Sequence, residues 1–237
     1  MQTITSLIKI ILMALWTLIS VILAFALIIV TFHSKSAIWF AHKIWAPVLI
    51  FILGAKLKVE GVENIDPNQS YIILANHTSY LDIPMLTAGL PILFYYVAKK
   101  EMQKIPFLGW IMTASGIIFI DRQNKHKAIR SMRKAGNKIK GGKNVMIFPE
   151  GTFYANKETL IPFKKGAFHL AIHAQVPILP VAILDATKIW PADSHLKLKK
   201  GNCKLVVGQP IITEGYTLEQ VDELLDLAYK KMYQLLK

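Results

Sequence analysis

From Ile10 to Phe32 the chain reads IILMALWTLISVILAFALIIVTF, about 23 residues without a charge. As a helix rising 1.5 Å per residue, that run is about 35 Å long, enough to cross a hydrocarbon core with some tilt. A core helix of a soluble domain would carry a polar stripe. This run is apolar all round and reads as a membrane helix. A cleaved signal peptide has a shorter apolar region, about 7–15 residues, ahead of a small-residue cleavage site; here His33-Ser34-Lys35-Ser36 follows a longer run. Lys9 stands alone before the run, whereas Lys35, Lys43, Lys56 and Lys58 follow it. The positive-inside rule then places the following domain on the cytoplasmic side of the cell membrane, the inner membrane if the source is bacterial. A second apolar run, Ile44 to Ala55, is about a dozen residues long and contains Pro47, which is short for a span. It either lies in the headgroup region or returns against the first helix as a shallow hairpin. With a hairpin, the first helix need not cross at all.

Composition narrows the class. Of 237 residues, 53% are hydrophobic and 18% charged, and 28 Lys+Arg against 15 Asp+Glu give a net charge of +13. A chain this apolar buries enough surface to offset its ordering entropy, which excludes disorder. A single cysteine, Cys203, excludes a disulfide scaffold and a zinc site built on several thiolates. The basic excess calls for nucleic acid, anionic lipid or an anionic substrate. The cations are interleaved with apolar residues behind a membrane anchor, and no zinc-finger, helix-turn-helix or RNP motif occurs. Lipid is therefore the expected partner, and nucleic acid is not.

From about Leu57 onward, apolar runs of strand length alternate with helix-like segments. Leu57–Glu60, Tyr71–Ala75, Leu93–Ala98, Gly116–Ile120, Val145–Phe148, Ile178–Ile183 and Lys204–Val207 read as strands, rich in Ile, Val, Phe and Tyr. Ile83–Ala88, Lys125–Lys140, Phe163–Ala174 and Leu218–Leu236 read as helices, with Thr217 and Gln220 forming a capping box for the last. The pattern predicts an α/β fold, a mostly parallel or mixed sheet flanked by helices. Residues 1–56 form the membrane anchor or helical hairpin, and residues 57–237 a single catalytic-sized domain.

Three stretches carry candidate chemistry. In Tyr71-Ile-Ile-Leu-Ala-Asn-His-Thr-Ser-Tyr-Leu-Asp82 a buried strand ends at Asn76 and a helix opens near Leu81. Across such a turn Asp82 can hold one ring nitrogen of His77 and leave the other to take a proton. The same residues also have a purely structural reading, because Ser79-x-x-Asp82 is a capping box. In Asn144-Val-Met-Ile-Phe-Pro-Glu-Gly-Thr152 a strand runs into a turn where Gly151 lets main-chain N–H groups face an anion, although Pro-Glu-Gly is also an ordinary turn. Lys99, Lys100, Lys104 and Arg122 bracket an apolar segment around Ile105–Trp110. That combination suits a ligand with an anionic head and a greasy tail, or else is a solvated basic surface.

The order and wording of these stretches together resemble the glycerolipid acyltransferase family, most of all the 1-acyl-sn-glycerol-3-phosphate acyltransferases. The resemblance rests on Asn76-His77-x4-Asp82, Ile105-Pro106-Phe107-x-Gly109, Phe119-Ile-Asp-Arg122, Phe148-Pro149-Glu150-Gly151-Thr152 and Val176-Pro177-Ile178-Leu179-Pro180. It spans about residues 57 to 210. It implies transfer of a fatty acyl group from acyl-CoA or acyl-carrier protein to a lysophospholipid hydroxyl, with no cofactor beyond that co-substrate and no metal. His77 would be the general base and Asp82 its orienter. The Glu150-Gly151-Thr152 turn would bind the acceptor and stabilise the oxyanion. Asn76 belongs to the substrate-binding set, and Arg122, Lys100, Lys104, Lys164 and Lys165 would meet phosphate. Cys203 lies outside every motif. One residue departs from the pattern: the family usually follows Phe-Pro-Glu-Gly-Thr with Arg, and this chain has Phe153. Either nearby lysines compensate, or the acceptor head group differs from a simple phosphomonoester. A non-catalytic lipid-binding protein of the same fold is the competing expectation. A hydrolase is disfavoured, since neither Gly-x-Ser-x-Gly nor His-Glu-x-x-His occurs.

Overall fold

The computed structural model describes residues 2–121, 136, 139, 141–152, 160–191, 194 and 196–237. Arg122, Phe153 and most of the helix expected over Lys125–Lys140 lie outside the described residues.

Seven strands form one sheet: β1 (Ala55–Glu60), β2 (Ile72–Ala75), β3 (Phe94–Lys99), β4 (Ile118–Ile120), β5 (Asn144–Ile147), β6 (Ile178–Leu184) and β7 (Gly201–Val207). Each overlaps one of the seven strands expected from the sequence. Their order is β1-β7-β6-β2-β5-β3-β4. Among the described residues only the β6–β7 pair of strands is antiparallel, so the sheet is mixed and mostly parallel. The strands β2 and β5 are buried throughout and, apart from Asn144, read as continuous apolar runs, as strands covered on both faces do.

Alternation along β2 divides the core. Ile72 and Leu74 pack with Val145, Phe168, Leu224 and Ala228 beneath α5 (Gly166–Ala174) and α7 (Val221–Leu235). Ile73 and Ala75 point to the other face. There they join Met85 and Leu86 of α3 (Asp82–Gly89) and Met13, Leu49 and Leu53 of the N-terminal helices. The Thr217–Gln220 capping box is present at the 3-10 turn that leads into α7.

The N-terminal segment is a helical hairpin. Helix α1 (Gln2–Thr31) and α2 (Lys35–Leu53) are both long and apolar enough to cross a membrane. Lys9 Nζ donates to the Leu53 carbonyl at 2.5 Å, Trp16 Nε1 donates to the Trp45 carbonyl at 3.1 Å, and Thr31 meets Ser36. Those pairings run in opposite directions along the two helices, so they are antiparallel. The second helix is longer than the run Ile44 to Ala55 suggested, because it begins at Lys35 and continues through a π turn at Ala41–Trp45. Pro47 sits just after that turn, in the first positions of the following α segment, where its missing N–H is tolerated. The face of α1 turned outward carries Ile4, Leu7, Ile11, Leu15, Leu18, Ile22 and Ile29, all exposed. Its inward side buries Ser6, Met13, Ser20, Val21 and Ala24. The helix thus reverses the amphipathicity of a water-facing helix: large aliphatics face out, while small and polar residues face the protein.

Candidate active site

In open α/β sheets, ligands gather beyond the carboxyl ends of parallel strands. Here β2 and β5 are neighbours, with Leu74 opposite Ile147. The chain leaving β2 enters Asn76-His77, and the chain leaving β5 enters Phe148-Pro149-Glu150. Two motifs 73 residues apart therefore meet at one edge, and the His77 backbone N–H donates to Glu150 Oε1 at 3.3 Å.

His77 Nδ1 lies 2.9 Å from Asp82 Oδ2. The same oxygen accepts the Thr78 N–H at 2.7 Å and the Ser79 N–H at 2.8 Å. A carboxylate only accepts, so Nδ1 carries the proton in this bond and Nε2 is the nitrogen suited to take one. The structural reading of Ser79-x-x-Asp82 is also partly realised: Asp82 reaches back to the Ser79 N–H, while the Ser79 hydroxyl accepts from Leu81 and donates to the Trp190 carbonyl. One carboxylate thus organises the start of α3 and orients His77. Asp82 is fully buried, which pushes its carboxyl upward, and the His77 ring and the two backbone N–H groups oppose that shift. The His77 ring stacks on Phe148, with centroids 3.9 Å apart and planes within 12°.

Glu150 is 3% exposed. Burial pushes its carboxyl up to about 7, against the pull of the His77 N–H, and the nearby Asp82 charge adds to the rise. Gly151 has φ +69°, and its N–H donates to the Phe148 carbonyl. That N–H is committed to the turn. The glycine also supplies room. A Cβ placed there would stand 2.7–2.9 Å from the Lys164 side chain, which lies along the turn. Lys164 is anchored by its own N–H to the Pro149 carbonyl.

The remaining expected residues divide. Both ends of the Asn76 amide are held by the Ile183 backbone, at 3.0 and 2.8 Å, so Asn76 braces β2 against β6. Lys165 is paired with Asp222 of α7 at 2.7 Å. Lys100 pairs with Asp121 at 3.4 Å, and Lys104 is exposed at the end of the 3-10 turn Lys100–Lys104. Cys203 is buried in β7, its Sγ 3.8 Å from the Lys56 carbonyl oxygen, and burial raises its thiol to about 11. Among the described residues no group of three or more His, Cys, Asp or Glu could hold a metal ion.

A cavity of about 560 Å³ opens from this edge. His77, Phe148, Gly151 and Thr152 line it beside the sheet. Thr17, Ser20, Ala24, Ala37, Ile38 and His42 line it where it enters the N-terminal hairpin, and Ile111 and Met112 of α4 (Leu108–Ala114) complete the wall. The wall is largely apolar, and small side chains on α1 and α2 leave the space open. The sequence reading did not find this cavity. Its signal was the stripe Thr17, Ser20, Ala24 at helical spacing inside an otherwise bulky run.

Residues 56–184 match the family model described as acyltransferase. Over 201 residues the chain is 36% identical to a Saccharomyces cerevisiae protein named 1-acyl-sn-glycerol-3-phosphate acyltransferase, covering 84% of this chain and 66% of that one. Over 177 residues it is 34% identical to the Homo sapiens 1-acyl-sn-glycerol-3-phosphate acyltransferase alpha, covering 74% and 62%. The chain thus spans less than two thirds of the length of these relatives. In fold it is similar to the crystal structure of the 1-acyl-sn-glycerophosphate acyltransferase from Thermotoga maritima, with TM-score 0.81, 24% identity, and 99% and 98% of the two chains covered.

Proposed function

This chain belongs to the acyltransferase family, and we propose that it moves a fatty acyl group from acyl-CoA or acyl-carrier protein to the free hydroxyl of a lysophospholipid. The acceptor that fits best is 1-acyl-sn-glycerol-3-phosphate, which gives phosphatidic acid in glycerolipid synthesis. The observation that carries this reading is the position of the His77–Asp82 pair at the mouth of an apolar cavity. A base beside a hydrocarbon-lined pocket is what direct attack on a fatty thioester needs.

In the proposed reaction, His77 Nε2 takes the acceptor's hydroxyl proton as its oxygen attacks the thioester carbonyl carbon. A new C–O bond forms, the tetrahedral intermediate collapses, and the C–S bond breaks. The thiolate then leaves with the proton from His77, so no acyl-enzyme forms. Asp82 stabilises the imidazolium and holds its tautomer. Lys164, lying along Gly151, is placed to meet the acceptor's anionic head, and it is the lysine best placed to stand in for the arginine that Phe153 replaces. Arg122 and Lys104 are the further candidates for the head group. The outward apolar face of α1 supports immersion of the hairpin in a lipid leaflet, with the catalytic edge on the cytoplasmic side.

The test is thioester consumption by the purified full chain in mixed micelles, with acyl-CoA or acyl-carrier protein and a panel of lysolipids, alongside His77→Ala. Wild type should form a diacyl product, and the variant should lose at least about 10³-fold of that rate while keeping its fold and micelle association. Near-normal turnover by the variant removes the general-base assignment. Lipid binding with no thioester consumption on any acceptor favours a non-catalytic lipid-binding protein.

A further inference from the structure

An imidazole that acts as a base must keep Nε2 aimed in one direction, and a single hydrogen bond does not achieve that. The contact of Nδ1 with Asp82 at 2.9 Å fixes one edge of the His77 ring. The terminal torsion of a histidine side chain is broad, without sharp staggered wells, so the ring plane needs a second constraint. Phe148 supplies a flat one, with ring centroids 3.9 Å apart and planes within 12°. Phe148 also leads into Glu150, whose Oε1 accepts the His77 N–H at 3.3 Å. The turn after β5 therefore holds both the backbone and the ring face of His77.

Phe148 is itself backed. Met146 of β5 lies opposite Tyr96 of β3, and residues two apart along a strand share a face. The Phe148 ring accordingly meets Tyr96 at 6.3 Å, and Tyr96 meets the buried Phe94 edge-on at 5.2 Å. The Tyr96 hydroxyl donates to the Ile83 carbonyl at 3.1 Å and lies 3.0 Å from the Thr87 hydroxyl, both on α3. Asp82 opens that same helix. One helix thus grips His77 twice, at the ring edge through Asp82 and at the ring face through Tyr96 and Phe148. Ordinary core packing accounts for the Phe148–Tyr96–Phe94 row. The His77–Phe148 pair is closer, inside the range of about 4.5–7 Å usual between aromatic centroids.

Resting on the acyl-transfer reading, we infer that Phe148 is a positioning residue for the general base: its π face fixes the plane of His77 and stabilises the imidazolium that forms as the acceptor hydroxyl gives up its proton. A cation within about 6 Å of an aromatic ring centroid, over the face, is attracted by the ring quadrupole. The positive charge on His77 arises as the proton moves, so the attraction is stronger in the transition state than with substrates merely bound. It therefore acts on kcat more than on KM. Phe148 also lines the cavity. A residue that only shaped the wall would act on KM and on acyl preference, so kinetics separates the two roles.

The experiment uses the full chain in mixed micelles with acyl-CoA and lysophosphatidic acid, separating kcat from KM. Phe148→Leu keeps an apolar side chain and removes the flat ring. A second series keeps the ring shape and drains its π face, by incorporating monofluoro-, trifluoro- and pentafluorophenylalanine at position 148. Phe148→Leu and the pentafluoro ring should each lower kcat about tenfold, and the series should fall stepwise with each added set of fluorines. KM should change less than kcat throughout. Thermal melting checks the fold, and the fluorinated rings read the charge effect even if Phe148→Leu is unstable. A kcat that is unchanged across the fluorinated series overturns this inference and leaves acyl transfer standing, as does a rise in KM with kcat intact. No transfer by wild type overturns acyl transfer itself, and this inference with it.

Discussion

Asp82→Asn isolates how the site orients its imidazole. Three donors converge on Oδ2: His77 Nδ1–H at 2.9 Å, Thr78 N–H at 2.7 Å and Ser79 N–H at 2.8 Å. The other oxygen, Oδ1, is buried without a partner among the described residues. An asparagine with its carbonyl at the Oδ2 position keeps all three bonds. The flipped amide would aim N–H groups at three donors, so the backbone selects the first orientation and the His77 tautomer survives. In the serine-protease triad the equivalent change imposes the wrong tautomer and lowers kcat about 10⁴-fold. Here the loss reduces to charge. Hydrogen bonds to charged groups contribute about 1.5–3 kcal/mol and neutral ones about 0.5–1.5, so the His77 bond weakens by about 1–2 kcal/mol, and somewhat more as the imidazolium forms. That predicts a fall in kcat of about 10- to 100-fold.

Stability should move little in the same variant. Asparagine relieves a buried charge but places an unpartnered NH₂ where Oδ1 was, an opposing effect of about 1–3 kcal/mol. Asp82→Ala, by contrast, strips the acceptor from two backbone N–H groups as well as the ring, and should lower both activity, by about 10³-fold or more, and melting temperature. The assay is release of free CoA in mixed micelles, with kcat and KM separated, beside melting followed by circular dichroism. If the asparagine variant is as inactive as the alanine variant with its fold intact, the backbone does not fix the tautomer. If it is fully active, the carboxylate charge has no part in the reaction.

Three further outcomes follow from the geometry. Glu150 has a folded-state value raised from 4.5 to about 7 by burial, so the folded state binds its proton more tightly than the unfolded chain does. Its contribution to stability is complete below about pH 4.5 and is lost as the pH rises through about 7. Urea denaturation across that window should show Glu150→Gln falling less steeply than wild type, and parallel curves would remove Glu150 as the cause. Lys164→Gln should raise KM for a phosphomonoester acceptor about tenfold with little change for an uncharged one, whereas Lys165→Gln, whose lysine is already paired with Asp222, should leave both unchanged; equal effects would show that the two lysines are not distinguished by the turn. Phe107, the residue before α4, and Trp110 within it are 56% and 58% exposed beside the basic turn, and Ile111 of that helix shares a core cluster with Val21 and Ala24 of α1. Brominated lipid should therefore quench tryptophan fluorescence less in Trp110→Phe than in wild type, and unchanged quenching would place that edge out of the membrane.

The seven strands were readable because each is a short apolar run bounded by turn residues, and the central ones are buried on both faces. The His77–Asp82 contact was readable because five residues across a strand-to-helix turn are a local matter. What escaped the sequence is non-local. That Asn76 is committed to Ile183 depends on β6 lying beside β2, and that Lys165 is committed to Asp222 depends on where α7 returns. Lys164 and Lys165 are adjacent in sequence and chemically alike, yet only the fold separates the one on Gly151 from the one on α7. The second helix was underestimated for a local reason: His42, Lys43 and Pro47 break the apolar run, and nothing in the pattern announces a π turn that accommodates all three.

The hairpin also changes what counts as the site. Read as a sequence, α1 is apolar all round, and an anchor of that kind could be exchanged for any other greasy helix. Folded, it is two-sided, with Thr17, Ser20 and Ala24 facing the same cavity that His77 faces from the sheet. Small residues there leave a space that bulkier ones would fill. In the proposed reaction, an acyl chain lying in that space would be held partly by the sheet and partly by the hairpin, so both would position the reacting carbonyl. Replacing α1 with an unrelated hydrophobic helix of equal length should therefore preserve membrane attachment yet change which acyl chains are transferred, an outcome that an anchor acting only as a tether would not give.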